Sequence, residues 1–247
     1  MGKVELMSQV DIDKINLDFY GGRDPREIPA YTFRDASKYL DIPLATLRSW
    51  ILGRSYPIKS GTRRFKSIFY LPDKNRHLLS FTNLIEAHVL NALRKEHRID
   101  LKKVRRALLY LQDLFGFKHP LADQKFETDG INLFIDYYGR QLINISQDGQ
   151  LGMKAVLEKY LSRIEHDPSG QAAKLYPFLK ANGHRESKSV VIDPYVSFGK
   201  PVIAGTGIST SFIFGRFNAG ESVFGIADDY GRQTFEIEEA IRYESAA

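Results

Sequence analysis

The tripeptide Asp41-Ile42-Pro43 constrains this chain more than any other feature. Before it, Thr32 is placed to cap a helix whose apolar positions are Phe33, Ala36 and Leu40, with Tyr39 alongside. After it, Leu44, Leu47 and Ile51 recur at i, i+3, i+7 and run up to Gly53, a stop signal. A proline cannot continue the first helix, because it lacks the N–H and clashes with the preceding turn. The spacing therefore predicts two short helices joined by a turn of three to four residues, the helix-turn-helix arrangement.

Packing of Leu44, Leu47 and Ile51 leaves Ala45, Thr46, Arg48 and Ser49 on or near the exposed face of the second helix. Short side chains at the N-terminal end of such a helix permit close approach to the major groove, and an arginine there can pair with guanine. An ordinary helical hairpin inside a larger bundle shares the spacing, and Trp50 is expected in the core under either reading. The run that follows, YPIKSGTRRFKSIFYLPD, favours the first. It offers a turn at Lys59-Ser60-Gly61 and a β-rich run from Phe65 to Leu71, which suits a hairpin wing. Arg54, Lys59, Arg63, Arg64 and Lys66 are the expected phosphate contacts, which position a protein without reading sequence. Arg63 or Arg64 entering the minor groove is the open alternative.

Charge follows the same division. Residues 31–119 carry eighteen Lys/Arg against seven Asp/Glu, a net +11, whereas residues 190–247 carry four against eight, a net −4. The overall +5 conceals this asymmetry. A concentrated basic block binds polyanions by releasing condensed counterions, although a solvated basic face gives the same count. The run Lys102, Lys103, Arg105 and Arg106 lies largely off an apolar helical stripe and leaves both readings open.

The expected fold class is mainly α with a small β component: an N-terminal winged helix-turn-helix, a middle α/β-hairpin segment and a C-terminal trihelical domain. Residues 1–30 contain GGRDPREIP and read as an arm or linker. Residues 31–119 add two longer helices, capped by Ser80 and Asp100, with Gly116 ending the second. Residues 120–180 read as a β-hairpin formed by Ile131–Tyr137 and Gln141–Ser146. A helix follows over Met153, Val156, Leu157, Tyr160, Leu161 and Ile164, stopped by Asp167-Pro168-Ser169-Gly170. Residues 190–247 form a glycine-punctuated lead-in and three short helices separated by Gly220 and Gly231. The third of these carries Glu236, Glu238, Glu239 and Glu244 against Arg242, the wrong sign for phosphate, so this unit is expected to hold a protein surface: another protein, a second copy of itself or its own basic block.

Several function classes fall away. The chain has no cysteine, which excludes disulfide scaffolds, zinc-thiolate sites, iron–sulfur clusters and thiol nucleophiles. Its longest uncharged stretch, Pro201 to Gly215, is fifteen residues and rich in Gly, Ser and Thr, too short and polar to cross a bilayer. The N-terminus lacks an apolar core of signal-peptide length, so a cytoplasmic protein is expected. His88 and His97 are nine apart, which is not metal spacing, and no nucleotide loop, catalytic serine elbow or converging carboxylate pair is present. No catalytic residue, metal ligand or cofactor is assigned.

YTFRDASKYLDIPLATLRSW resembles the helix-turn-helix of MerR-like regulators. GKPVIAGTGI, followed by AGESVFGIADDYG and TFEIEEAIRYE, resembles a small trihelical family that recurs in bacterial antitoxins. With LSFTNLIEAHVLNALR and HPLADQKFETDG between them, the two resemble the long VapB-type antitoxins over about residues 31–247. One departure is Gly207, where the terminal family usually has arginine. The resemblance implies a type II antitoxin that binds double-stranded operator DNA as an autorepressor and occludes a cognate PIN-domain ribonuclease toxin. Lys200, Pro201, Gly205, Thr206 and Ile208 are then the candidate partner-binding residues, with Arg216 and Arg232 as further cations able to enter an acidic toxin site. A homodimer is expected, since operator half-sites lie about one helical turn apart, with the helices between Ser80 and Gly116 as its surface. The alternative is a stand-alone MerR-like transcription regulator whose C-terminal domain senses a small ligand.

Overall fold

The computed structural model describes residues 20–58, 61–65, 67–73, 75–96, 101–116, 118–135, 147–178 and 187–245. Helix α1 (Phe33–Leu40) opens with a capping box: Thr32 Oγ1 accepts from the Asp35 amide at 3.1 Å, and Asp35 Oδ2 accepts from the Thr32 amide at 3.0 Å. It ends where Asp41 turns left-handed (φ 52°) and the Ile42 N–H donates to the Ser37 carbonyl at 3.1 Å. The Pro43 carbonyl then starts α2 (Leu44–Leu52), accepting from Thr46 at 2.8 Å and Leu47 at 3.1 Å. The breaker read from sequence thus serves as C-cap and N-cap at once.

Strands β1 (Arg54–Ile58) and β2 (Gly61–Phe65) form an antiparallel ribbon, paired from Arg54↔Phe65 to Ile58↔Gly61. The β-run expected at Phe65–Leu71 is displaced. After Phe65 the described chain leaves the ribbon, the Ile68 N–H donates to the Trp50 carbonyl at 2.7 Å, and Phe69 and Leu71 are buried. Anchoring these side chains in the core wins over continuing an exposed two-stranded ladder.

Helix α3 (Phe81–Glu96) is the hub. Ser80 and Asn83 cap it reciprocally, and Phe81, Leu84, Ile85, Ala87, Val89, Leu90 and Ala92 are all fully buried. A helix apolar on so many sides must sit inside a core. Its polar residues are satisfied there: Asn83 Nδ2 donates to the Tyr70 carbonyl at 2.8 Å, and His88 Nε2 bonds the Tyr160 carbonyl at 3.0 Å. Helix α4 (Leu101–Phe115) buries Val104, Ala107, Leu108 and Leu111 and ends at Gly116 (φ 73°). The expected cap of α4, Asp100, lies outside the described residues.

The middle segment corrects the sequence reading. Ile131–Ile135 is helical (α5), entered through a π-turn at Phe126–Gly130, instead of the first strand of a hairpin. Phe126, Ile131, Phe134 and Ile135 recur at near-helical intervals and are all buried, and that packing overrides their β-propensity. The second expected strand, Gln141–Ser146, lies outside the described residues. After α6 (Gln147–Leu161), Ile164 belongs to a strand and not to the helix: β3 (Ile164–His166) pairs with β4 (Ala172–Leu175). Asp167-Pro168-Ser169-Gly170 is their turn, with Asp167 Oδ1 accepting from the Ser169 and Gln171 amides. Buried Arg163 donates to the carbonyls of Tyr176, Pro177 and Ser187 and so fixes the chain leaving β4.

Residues 20–30 are fastened to this body. Arg26 pairs with Asp24 and, at 2.5 Å, with Asp167, while the Ala30 and Tyr31 amides donate to the Leu79 carbonyl. One core runs from Tyr31 to Leu175 and includes Ile192. Strand β5 (Val190–Val191) pairs with β6 (Val202–Ile203), and helices α7 (Thr210–Asn218), α8 (Val223–Tyr230) and α9 (Thr234–Ser245) enclose a second core. That core is built from Ile203, Ile213, Ile226, Ala227, Ile237 and Ala240. The described chain is mainly helical with small antiparallel sheets, and among the described residues no helix is long and apolar enough to cross a membrane.

Candidate nucleic-acid interface and C-terminal binding unit

Helix α2 buries Leu47, Trp50 and Ile51 and half-buries Leu44, which turns the opposite side outward. Ala45 and Arg48 are exposed there, and Thr46 and Ser49 are half-buried beside them. The Arg48 guanidinium lies 6.0 Å over the ring of Phe33, so α1 supports the side chain that α2 presents. This face combines a short residue, two hydroxyls and one cation. The ribbon follows directly, with Arg54 at its start and Arg63 and Arg64 at adjacent register positions opposite Tyr56 and Ser55. Lys59 and Lys66 lie outside the described residues.

The residues expected to hold a partner separate into two groups. Pro201 is buried, and Thr206 closes a turn: its Oγ1 donates to the Ile203 carbonyl at 2.8 Å and accepts from the Ile208 amide at 3.1 Å. Ile208 packs on the second core, and Gly205 takes a left-handed φ of 75° in the same turn. These four residues build the unit. Arg216 is held by Glu221 and Asp229 and stacks 5.2 Å over Tyr230, and Arg232 is held by Glu236. Lys200 is exposed. Gly207 is exposed as well, and a Cβ built there would meet Ser197 Oγ at an ordinary 3.7 Å. The turn therefore has room for the arginine usual in the resembling family.

Sequence reasoning missed the aromatic surface of this unit. Phe212 is 70% exposed, Phe224 73%, Phe198 67% and Phe235 55%. Exposed aromatics at this density mark interaction surfaces in soluble domains. The signal was present as six phenylalanines in residues 190–247, more than a small unit with a core of isoleucines and alanines has room to bury.

A third cluster lies at the base of α3. His119 Nδ1 is 3.1 Å from Glu86 Oε2, and its Nε2 faces Glu27 Oε2 at 3.6 Å. Burial opposes its charge, but the two carboxylates prevail and lift its pKa to about 9. The same contact, with Thr82 donating at 2.5 Å, pulls Glu27 down to about 2. The cluster is an internal ion pair that ties residues 20–30 to α3. Among the described residues no three His, Cys, Asp or Glu side chains are gathered as a metal site requires.

Comparison with known proteins identifies relatives over nearly the whole chain. Residues 190–243 match a family described as "Protein of unknown function (DUF433)". Over 234 residues, 87% of this chain and 93% of the relative, the sequence is 30% identical to the Mycobacterium tuberculosis protein named "Putative antitoxin VapB45". The X-ray crystal structure of Rv2018 from Mycobacterium tuberculosis superposes with a TM-score of 0.64 at 26% identity, covering 87% of this chain and 98% of that one. The chain belongs to the same antitoxin-like family as VapB45.

Proposed function

We propose that this protein is the antitoxin of a type II toxin–antitoxin pair that represses its own operon and neutralises a PIN-domain ribonuclease by binding it. The observation that carries the reading is the kinship with VapB45 along both of its parts, the outward α2 face and the phenylalanine-bearing C-terminal unit. Ala45, Thr46, Arg48 and Ser49 meet base edges in the major groove, while Arg54, Lys59, Arg63, Arg64 and Lys66 hold phosphate. A homodimer supplies two such faces. Helix α3 is buried within the chain, so α4, with Leu109, Tyr110 and Leu114 exposed, is the surface left for the second copy.

The C-terminal unit takes the toxin. Arg216 and Arg232 already neutralise carboxylates of their own unit, so occlusion rests on the exposed phenylalanines together with Lys200, and not on a cationic plug. No catalytic step is assigned to the chain. A gel-shift titration tests the DNA half, using the segment immediately upstream of the protein's own gene against mixed-sequence DNA at one fixed salt concentration. The reading expects a preference for the upstream segment that Arg48→Ala removes. Equal affinity of the unaltered protein for both DNAs overturns it.

A further inference from the structure

The acidic C-terminal unit is docked against α1, the first helix of the helix pair. Three contacts make the joint. Gly199, at φ 72°, passes so close to Tyr31 that a Cβ there would lie 1.9 Å from the phenolic oxygen. The Tyr243 hydroxyl donates to the Tyr39 carbonyl at 3.4 Å. Lys38 Nζ sits 2.7 Å from Glu244 Oε2, while Glu244 Oε1 accepts from the Thr210 hydroxyl at 2.5 Å. Glu244 is 7% exposed, whereas the Lys38 side chain is 38% exposed. The carboxylate is thus a fixed, buried acceptor and the ammonium stands at the rim.

Lys38 and Arg34 are four residues apart on α1 and share one face. In a helix-turn-helix the first helix crosses the nucleic-acid backbone, so a cation on that face is a phosphate ligand unless something else holds it. Glu244 holds it. We propose that the C-terminal helix is a built-in brake on DNA binding, in which Glu244 occupies Lys38 and withholds it from phosphate. This inference rests on the DNA-binding reading above. Phosphate and Glu244 compete for one ammonium, so the coupling runs both ways: DNA that captures Lys38 loosens α9, and a partner that draws α9 away strengthens DNA binding by the same factor.

The test is the salt dependence of binding to a mixed-sequence duplex, measured on the full chain. Glu244→Gln keeps an oxygen for Thr210 and removes the charge. It is expected to bind more tightly at low salt and to steepen the slope of log K against log salt by about one, the signature of one added phosphate contact. Lys38→Gln and the double variant are expected to keep the slope of the unaltered protein. A folded Glu244→Gln with an unchanged slope overturns the proposal, and so does a Lys38→Gln whose slope falls by about one. Hydrogen exchange on the unaltered chain depends on no variant folding. DNA is expected to leave exchange in α9 of the unaltered chain unchanged, because Glu244 keeps Lys38, and a change there in either direction counts against the brake. An unaltered protein with no salt-dependent binding removes the DNA-binding reading and the brake together, a result distinct from binding that Glu244→Gln leaves unmoved.

Discussion

At the scale of single residues, Arg48 and Arg63 have different proposed contacts, a base edge for the first and phosphate for the second. Arg48→Ala should lose roughly 1–3 kcal/mol on the preferred sequence and relax specificity at one base pair. Arg63→Ala should weaken every sequence alike and shallow the salt slope by about one; fluorescence titrations across a salt series distinguish the two. Gly207→Arg should fold with an unchanged melting temperature, because the site is open. Partner affinity then reports whether an arginine there adds a contact. His119 gives a pH signature. Its folded pKa of about 9 stands above its ordinary 6.5, so the stabilisation is fully present below about pH 6.5 and is lost as pH rises through 9. The melting temperature should fall across that window, and His119→Gln should flatten the fall. The exposed character of Ala45 and Arg48 was legible in the sequence because helical periodicity alone assigns it. Lys38–Glu244 was not, because its partners are 206 residues apart and no local rule links them.

Among the elements, legibility followed how locally each was determined. The α1–turn–α2 unit carries its own instructions in Thr32, Asp35, Asp41 and Pro43, and it folds as the pattern predicts. Thr32→Ala should cost about 1 kcal/mol, read as a shifted denaturant midpoint at constant slope. The segment at Ile131–Ile135 has no such punctuation. Isoleucine and phenylalanine there fit a strand or a buried helix equally, and packing beside Phe126 decides for the helix. Likewise Asp167-Pro168-Ser169-Gly170 signals a turn in either fold, and only the pairing of β3 with β4 shows it to be a hairpin tip. For the C-terminal unit, Phe224→Ser and Phe235→Ser should leave its melting temperature nearly unchanged, since both rings are exposed. Combined, the two substitutions should abolish capture of the toxin in a pull-down, because they strip the apolar surface proposed to hold it.

Across the whole molecule, the sequence separated a basic block from an acidic end, and that division holds along the chain. Spatially the two ends meet. The docking of α9 on α1 places the −4 unit against the +11 block, so the proposed nucleic-acid and partner surfaces share one joint. The continuous core from Tyr31 to Ile192, with residues 20–30 fastened to it, supplies the rigid body on which that joint is mounted. Toxin neutralisation by the C-terminal unit is the proposed role on which the others depend. The decisive experiment co-expresses the protein encoded immediately beside this one with the full chain, or with a chain lacking residues 190–247, and scores growth and copurification. The neighbour is expected to arrest growth alone, the full chain to restore growth and copurify with it, and the shortened chain to do neither. A neighbour that is harmless alone and never copurifies with the full chain would overturn the antitoxin reading.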